Sequence, residues 1–300
     1  DIKELVDIAL PNYGLITNVG KAHLLGFGSF EGVMATKGEL YDYLRRTSDK
    51  VFINVDNPYL CRMASERNLQ SDPERPYSLL LPYGLDYQGA SVLPADAEHP
   101  YLRIALSASM SSSASGMSSV DETSIVVNTN LVGAYNADNV MAALAVGAHF
   151  GVSLDDAVKA IEAYVPSNNR SQMVRTKFNT LIVDAYNANP TSMEAALKNF
   201  ASLQADHKAA LLGDMLELGE DSIGEHIRVA SLALESGFET VCFVGKEFRK
   251  AVGQLSDTRA SVFDTSADLA LWLSEHPLAG FSCLIKGSRG TRMEKVIEML

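Results

Sequence analysis

Leu181-Ile182-Val183-Asp184-Ala185-Tyr186-Asn187-Ala188-Asn189-Pro190-Thr191-Ser192 is the stretch from which the fold can be read. Its apolar opening, Leu181–Val183, predicts a buried strand. The switch to Asp184, Tyr186, Asn187 and Asn189 marks the strand's end, and Pro190-Thr191-Ser192 opens a helix. Thr191-x-x-Glu194 has the spacing of a capping box, with Pro190 just ahead of it. Open α/β sheets bind ligands where strands end beside helix N-termini, because free amides and polar loop side chains converge there. From this stretch alone a polar loop closed only by Asx hydrogen bonds is the favoured reading, and the rest of the chain shifts the balance.

Downstream, the same unit repeats. Strands are predicted over 180–185, 209–213, 240–245, 261–263 and 282–286, each followed by a helix, over 191–204, 222–236, 246–254, 266–275 and 291–300. Alternation at this spacing predicts an α/β fold with a mostly parallel, Rossmann-like sheet. No G-x-G-x-x-G follows its first strand, so a dinucleotide fingerprint is absent.

Upstream, an initial helix precedes a strand over 14–19, a loop from Gly20 to Gly28, and a helix capped by Ser29. A buried strand over 51–55 ends in the turn Asp56-Asn57-Pro58, followed by a helix over 58–70. From 72 to 127 the pattern weakens into short strand-like pieces, and Ser107–Ser119 reads as a surface insertion. Gly133-Ala134-Tyr135-Asn136 introduces an Ala-rich helix, Ser153 caps another, and 165–169 reads as a linker. Two domains are expected, 1–166 and 167–300.

Composition limits the function. The chain has 300 residues, 47% of them hydrophobic and 21% charged, enough for two cores. No apolar run is long enough to span a bilayer. Cys61, Cys242 and Cys283 lack metal-ligand spacing; Cys242 and Cys283 fall in predicted core strands and read as buried free thiols of a reducing compartment. A net charge of -12 argues against nucleic acid as a partner. The chain begins at Asp1 inside a helical pattern, so the natural N-terminus is expected upstream.

Five clusters could carry chemistry. His23, in the Gly-flanked loop after the first strand, is placed for a metal or phosphate, or for a hydrogen bond within its loop. Lys37 is either a solvated surface lysine or a cation turned into a site, able to bind phosphate or, as a carbamate, Mg²⁺. Asn136 and Asn139 share a helix face and could read a purine edge or a ribose; Asn136 could equally be an N-cap. Arg170, in Asn168-Asn169-Arg170-Ser171 at the domain junction, could clamp a phosphate or form an interdomain salt bridge. Lys286, Ser288 and Arg289, in Lys286-Gly287-Ser288-Arg289-Gly290-Thr291-Arg292, could form an anion pocket or a solvated basic turn. Acids in 212–219 could meet an ammonium, although a capped, solvated acidic turn is slightly favoured.

Together these residues resemble a known family. TNVGKAHLLGFGS, ATKGE, GAYNADN, NNRS, DAYNANPTSM, LLGDMLELGE with Glu225-His226 just after it, and KGSRGTRME follow the order seen in the Mur ligases. The likeness covers nearly everything outside 72–127, and the last two long motifs point to the branch that adds a dipeptide. It implies the rear part of a central ATP-binding domain followed by a Rossmann-like C-terminal domain. It also implies an ATP- and Mg²⁺-dependent ligase that joins D-alanyl-D-alanine to a UDP-N-acetylmuramoyl-tripeptide through an acyl phosphate, in peptidoglycan precursor synthesis. By resemblance, His23 is a Mg²⁺-site residue and Lys37 the lysine carbamylated in relatives. Asn136 and Asn139 lie on the adenine side, while Arg170 and Asp184 contact phosphate and ribose. Tyr186, Asn187 and Asn189 line the cleft, and Lys286, Ser288 and Arg289 lie near the dipeptide.

A bacterial, cytoplasmic monomer is expected. The family's upstream G-x-x-x-x-G-K-S/T loop is missing from these 300 residues, so this chain alone is expected to be inactive. A related ligase such as folylpolyglutamate synthase, or a non-catalytic nucleotide-binding module, is the alternative.

Overall fold

The computed structural model describes residues 2–20, 24–69, 79–95, 99–107, 125–167, 170–255 and 257–300. Its first part carries α1 (Ile2–Ala9), β1 (Tyr13–Leu15), α2 (Leu24–Phe27), α3 (Phe30–Thr47), β2 (Lys50–Asn54), α4 (Pro58–Glu66) and β3 (Leu80–Tyr83). β1, β2 and β3 form a parallel sheet. Successive residues of β2 point to opposite faces, and both faces are covered. Val51 and Ile53 join one buried cluster with Val33 and Leu44 of α3, whereas Phe52 joins another with Tyr83 and Met141. This is why β2 reads as a continuous apolar run rather than an alternating one. As the sequence indicates, Ser29 caps α3, its hydroxyl accepting from Gly32 N at 3.0 Å.

The weakly patterned stretch contains a small antiparallel sheet of β4 (Ser91–Leu93), β5 (Arg103–Leu106) and β6 (Ile125–Asn128). Of the Ser-rich insertion only Ser107 is among the described residues. Then come α5 (Ala137–His149) and α6 (Leu154–Ala163), the latter capped by Ser153.

The remaining elements are β7 (Gln172–Arg175), β8 (Thr180–Asp184), α7 (Pro190–Ser202), β9 (His207–Gly213), α8 (Ser222–Glu235), β10 (Thr240–Val244), α9 (Lys246–Leu255), β11 (Ala260–Phe263), α10 (Ser266–Glu275) and β12 (Phe281–Lys286). They build one sheet of order β11-β10-β9-β12-β8-β7, parallel throughout except for β7. The chain winds outward from β9 to β11 and returns to place β12 between β9 and β8. Such a change of winding opens a crevice beyond the strands' carboxyl ends, and Asp184 and Lys286 stand there in register.

One face of this sheet, with Leu181, Val183, Leu211 and Ile285, packs with Leu269 and Leu273 of α10. The other, with Ile182, Leu212 and Phe243, belongs to the buried cluster that also contains Val33 and Ile53 of the first part. The two units therefore share a core. Each Leu, Ile or Val fully buried there contributes about 1.5–3 kcal/mol.

Three local expectations need correction. The capping box of α7 is Asn189 with Ser192, and Pro190 occupies the first turn; Thr191 is not the cap. Glu194 pairs instead with Lys198 and Arg228. The C-terminal helix expected over 291–300 is a pair of 3₁₀ segments, Arg289–Thr291 and Met293–Met299, broken at Arg292, whose φ is +52°. Burial of Met293 and Val296, three apart, matches three residues per turn. Asn136 makes no side-chain cap to α5. Among the described residues no helix is long and apolar enough to cross a membrane.

Candidate functional site

A cleft of about 570 Å³ lies between the units. The first unit contributes Asn18 after β1, Lys37 from α3, Asn54 and Asp56 from the end of β2, Tyr135 from the turn before α5, and Asp138 and Asn139 from the start of α5. The second contributes Asn189, Thr191 and Ser192 from the start of α7. Lys37 and Asn139 therefore share one cavity with Asn189, distant in sequence.

Lys37 is half-buried, and its Nζ donates to the carbonyl of Asn18 at 2.9 Å. Burial lowers its pKa from that of an ordinary lysine, because desolvation penalises the ammonium. Asn136 and Asn139 divide their work. Asn136 is buried, donating from Nδ2 to Val132 O at 2.9 Å and accepting from Asn139 Nδ2 at 3.3 Å. It orients Asn139, which faces the cavity.

Sequence reasoning gave no site role to Asn54, Asp56 or Asp138. Asn54 is buried, and its Oδ1 accepts from the amide of Asp56 at 3.0 Å. The Asp56 carboxylate accepts from the amides of Asp86 and Tyr87 at 2.8 and 3.2 Å. Burial raises the pKa of Asp138, against a hydrogen bond from Asn54 that lowers it. Polar residues directly after the apolar run Val51–Ile53 were the available signal, the same signal that singles out Asp184.

At the end of β8, Asp184 forms an ion pair with Lys286 Nζ, which also lies 3.5 Å from Asn187 O. Lys286 is only 1% exposed. The backbone amide of Ser171 donates to Asp184 Oδ1 at 3.4 Å. The exposed Arg170 guanidinium lies 3.8 Å from the centre of the Tyr186 ring, and that of Arg289 lies 5.6 Å from it. Hydrogen bonding and proximity to Arg170, then the charge of Arg289, lower the phenol pKa of Tyr186. Asn187 is exposed beside it.

Ser288 is engaged within the protein: its Oγ accepts from Leu216 N at 3.0 Å and donates to Ala188 O at 3.3 Å. It stitches the loops after β8 and β9 together. Asp214 caps the start of α9, accepting from Glu247 N and Phe248 N at 3.0 and 2.9 Å; this acid is engaged in capping, but it is buried and not solvated. His23 and the Asn168-Asn169 pair lie outside the described residues. Among the described residues no three His, Cys, Asp or Glu side chains gather to hold a metal ion.

Residues 1–147 match the family model of the Mur ligase middle domain, and residues 169–289 match that of the Mur ligase glutamate ligase domain. The chain belongs to the Mur ligase family.

Two similar curated members are UDP-N-acetylmuramoyl-tripeptide–D-alanyl-D-alanine ligases. The one from Bacillus subtilis (strain 168) is 28% identical over 314 residues, covering 100% of this chain and 61% of the relative. The one from Treponema pallidum (strain Nichols) is 30% identical over 304 residues, covering 100% and 60%. This Mur ligase chain thus spans about three-fifths of the length of those relatives. Its fold is that of MurF from Acinetobacter baumannii, with a TM-score of 0.78 at 24% identity over 99% of this chain and 61% of that one. MurF from Thermotoga maritima, solved in complex with ADP, gives 0.78 at 21% identity, covering 99% and 63%.

Proposed function

We propose that this chain forms the rear part of the ATP-binding domain (1–166) and the C-terminal domain (167–300) of a ligase that joins D-alanyl-D-alanine to a UDP-N-acetylmuramoyl-tripeptide. The observation that carries this reading is the cleft, which brings Lys37, Asn139 and Asn189 together from both units.

A carboxylate is a poor acyl donor, because its leaving group would be oxide. Transfer of the γ-phosphoryl group of ATP to a carboxylate oxygen gives an acyl phosphate and ADP. The dipeptide amine then attacks the acyl carbon, the C–O bond to phosphate breaks, and the amine's proton leaves, giving the amide and inorganic phosphate. The protein's task is positioning and charge compensation. Asn139, held by Asn136, faces the base. Asp184 faces the ribose, and Arg170 with Arg289, both exposed beside Tyr186, offers guanidinium groups to anionic oxygen.

Mg²⁺ fits one part of the site. A half-buried lysine with a lowered pKa holds a larger fraction of neutral amine, the form that takes up CO₂ to become a carboxylate-like ligand. Lys37 as a carbamate, together with His23, would hold the ion, and bound Mg²⁺ would offset negative charge on the transferring group. We assign the protein to the cytoplasm, as a monomer.

The test is a chimera in which this chain replaces the matching region of the Bacillus subtilis relative, which supplies the phosphate-binding loop. Phosphate release is expected only with ATP, the nucleotide-linked tripeptide and D-alanyl-D-alanine together, and not from this chain by itself. Release with folate and glutamate instead would move the chain to folylpolyglutamate synthesis. A folded chimera that releases none would support a non-catalytic module.

A further inference from the structure

The buried ammonium of Lys286 has no part in that scheme, and its surroundings point away from the dipeptide. It ends β12, a strand flanked by neighbours on both sides, and is 1% exposed. Its Nζ is committed to Asp184 and lies 3.5 Å from the Asn187 carbonyl. To touch an incoming dipeptide it would have to abandon a partly buried carboxylate, leaving that charge uncompensated.

Asp184, in contrast, looks two ways. Its second oxygen receives the amide of Ser171, and the Ser171 hydroxyl is 3.0 Å from the Tyr135 hydroxyl of the first unit. Ser171 sits at φ +46°, a left-handed conformation that a side chain disfavours and that its contacts must sustain. Tyr135 itself lines the cleft. A continuous chain of polar contacts thus runs from Tyr135 through Ser171 and Asp184 to Lys286, across the junction of the units.

We infer that Lys286 is a positioning residue for the nucleotide side of the site, acting through Asp184, and not a dipeptide contact. It holds one carboxylate oxygen and the turn at Asn187, so that the other oxygen is aimed at Ser171 and the junction of the units. Through Ser171 and Tyr135, the aim of Asp184 is tied to how the two units dock. This rests on the nucleotide reading of Asp184 given above.

The experiment is titration calorimetry of the full 300-residue chain with Mg²⁺-ATP and, separately, with D-alanyl-D-alanine. Lys286→Gln is expected to weaken ATP binding about tenfold, the cost of one charged hydrogen bond. Asp184→Asn should do the same, and the double variant should be no weaker than either. Lys286→Arg, which keeps the charge, should restore most of the loss. Dipeptide affinity should not move. Unchanged ATP affinity in Lys286→Gln, or weakening confined to the dipeptide, overturns the inference and leaves the proposed function standing.

A wild-type chain that binds no ATP instead sinks the nucleotide reading for this chain. The polar chain is then tested by stability alone, with Tyr135→Phe, Ser171→Ala and their combination. Linked contacts predict a combined drop in Tm smaller than the sum of the single drops, and additivity refutes the link. Should Lys286→Gln fail to fold, Ser171→Ala and Tyr135→Phe carry the ATP measurement, with a weaker loss of ATP affinity expected and none for the dipeptide. An unchanged ATP affinity in both refutes the inference.

Discussion

Asp214→Ala decides between two roles for the acidic loop after β9. Asp214 is 6% exposed, and its carboxylate accepts from the amides of Glu247 and Phe248 at 3.0 and 2.9 Å, in the first turn of α9. Gly245, at φ +121°, lets the chain wrap this closely, because a Cβ there would fall 2.2 Å from the Asp214 carboxyl carbon. Removing the carboxylate strands two amides. The Phe248 amide is in a buried bond and forfeits a full desolvation cost, about 1–3 kcal/mol, while the part-buried Glu247 amide recovers some of its loss from water. Loss of a negative charge at a helix N-terminus adds about 0.3–1 kcal/mol. Together these predict about 2–4 kcal/mol of destabilisation, and a smaller loss for Asp214→Asn, which keeps an acceptor. Urea unfolding measures it, with an unchanged m-value showing that the same surface unfolds. An Asp214→Ala chain within about 0.5 kcal/mol of wild type, with weakened dipeptide binding, would refute the capping argument and return this acid to meeting an ammonium.

Three further outcomes are expected. His226 is buried and neutral: Nε2 accepts from Met215 N at 3.0 Å and Nδ1 donates to Ser222 O at 2.7 Å. Burial lowers its pKa, so between the folded and unfolded values the unfolded chain binds more protons. Stability should therefore fall as pH drops below about 6.5, and denaturation of His226→Asn at several pH values should show a weaker dependence. Lys37 should give a carbamate carbonyl signal in ¹³C NMR with labelled bicarbonate, strengthening as pH rises toward its lowered pKa and absent in Lys37→Arg. Tyr186→Leu, which removes the ring beside two guanidiniums, should weaken ATP binding by about two- to fivefold, in line with exposed cation–π contacts. Tyr186→Phe should lose less, and equal losses would show that the phenol hydroxyl, not the ring, matters.

Much of the second unit was legible because its central strands are buried on both faces and so read as unbroken apolar runs. β7 was not, since Gln172-Met173-Val174-Arg175 is a half-exposed edge strand without a clean period. The polar ends of strands pointed to Asp184 and Lys286 individually. That they neutralise each other is a matter of register between β8 and β12, more than a hundred positions apart, and no local pattern carries register between parallel strands. Ser288 misled for a related reason: its hydroxyl looked available in a Gly-rich basic turn, but two loops meet over it. Asp138 stood within a motif recognised for its asparagines, and its burial beside Asn54 arises only when α5 docks against β2.

The distribution of charge around the cleft has a consequence for how a nucleotide would lie in it. Asp56, Asp86 and Asp138 line the first unit's wall. A polyphosphate placed along that wall would meet carboxylates at short range, and the low dielectric of a cleft strengthens such repulsion. The exposed guanidiniums of Arg170 and Arg289 stand with Tyr186 on the second unit, and among the described residues Lys37 is the cation in the cleft wall. Lys286 adds little, because Asp184 already balances it. On the proposed reading, the uncharged base therefore lies toward Asn54, Asp138 and Asn139, and the phosphates toward Lys37 and the arginines. The order of groups along the cleft follows from where the carboxylates leave room. The first unit supplies the acids and Lys37, and the second supplies the arginines, so the order draws on both units.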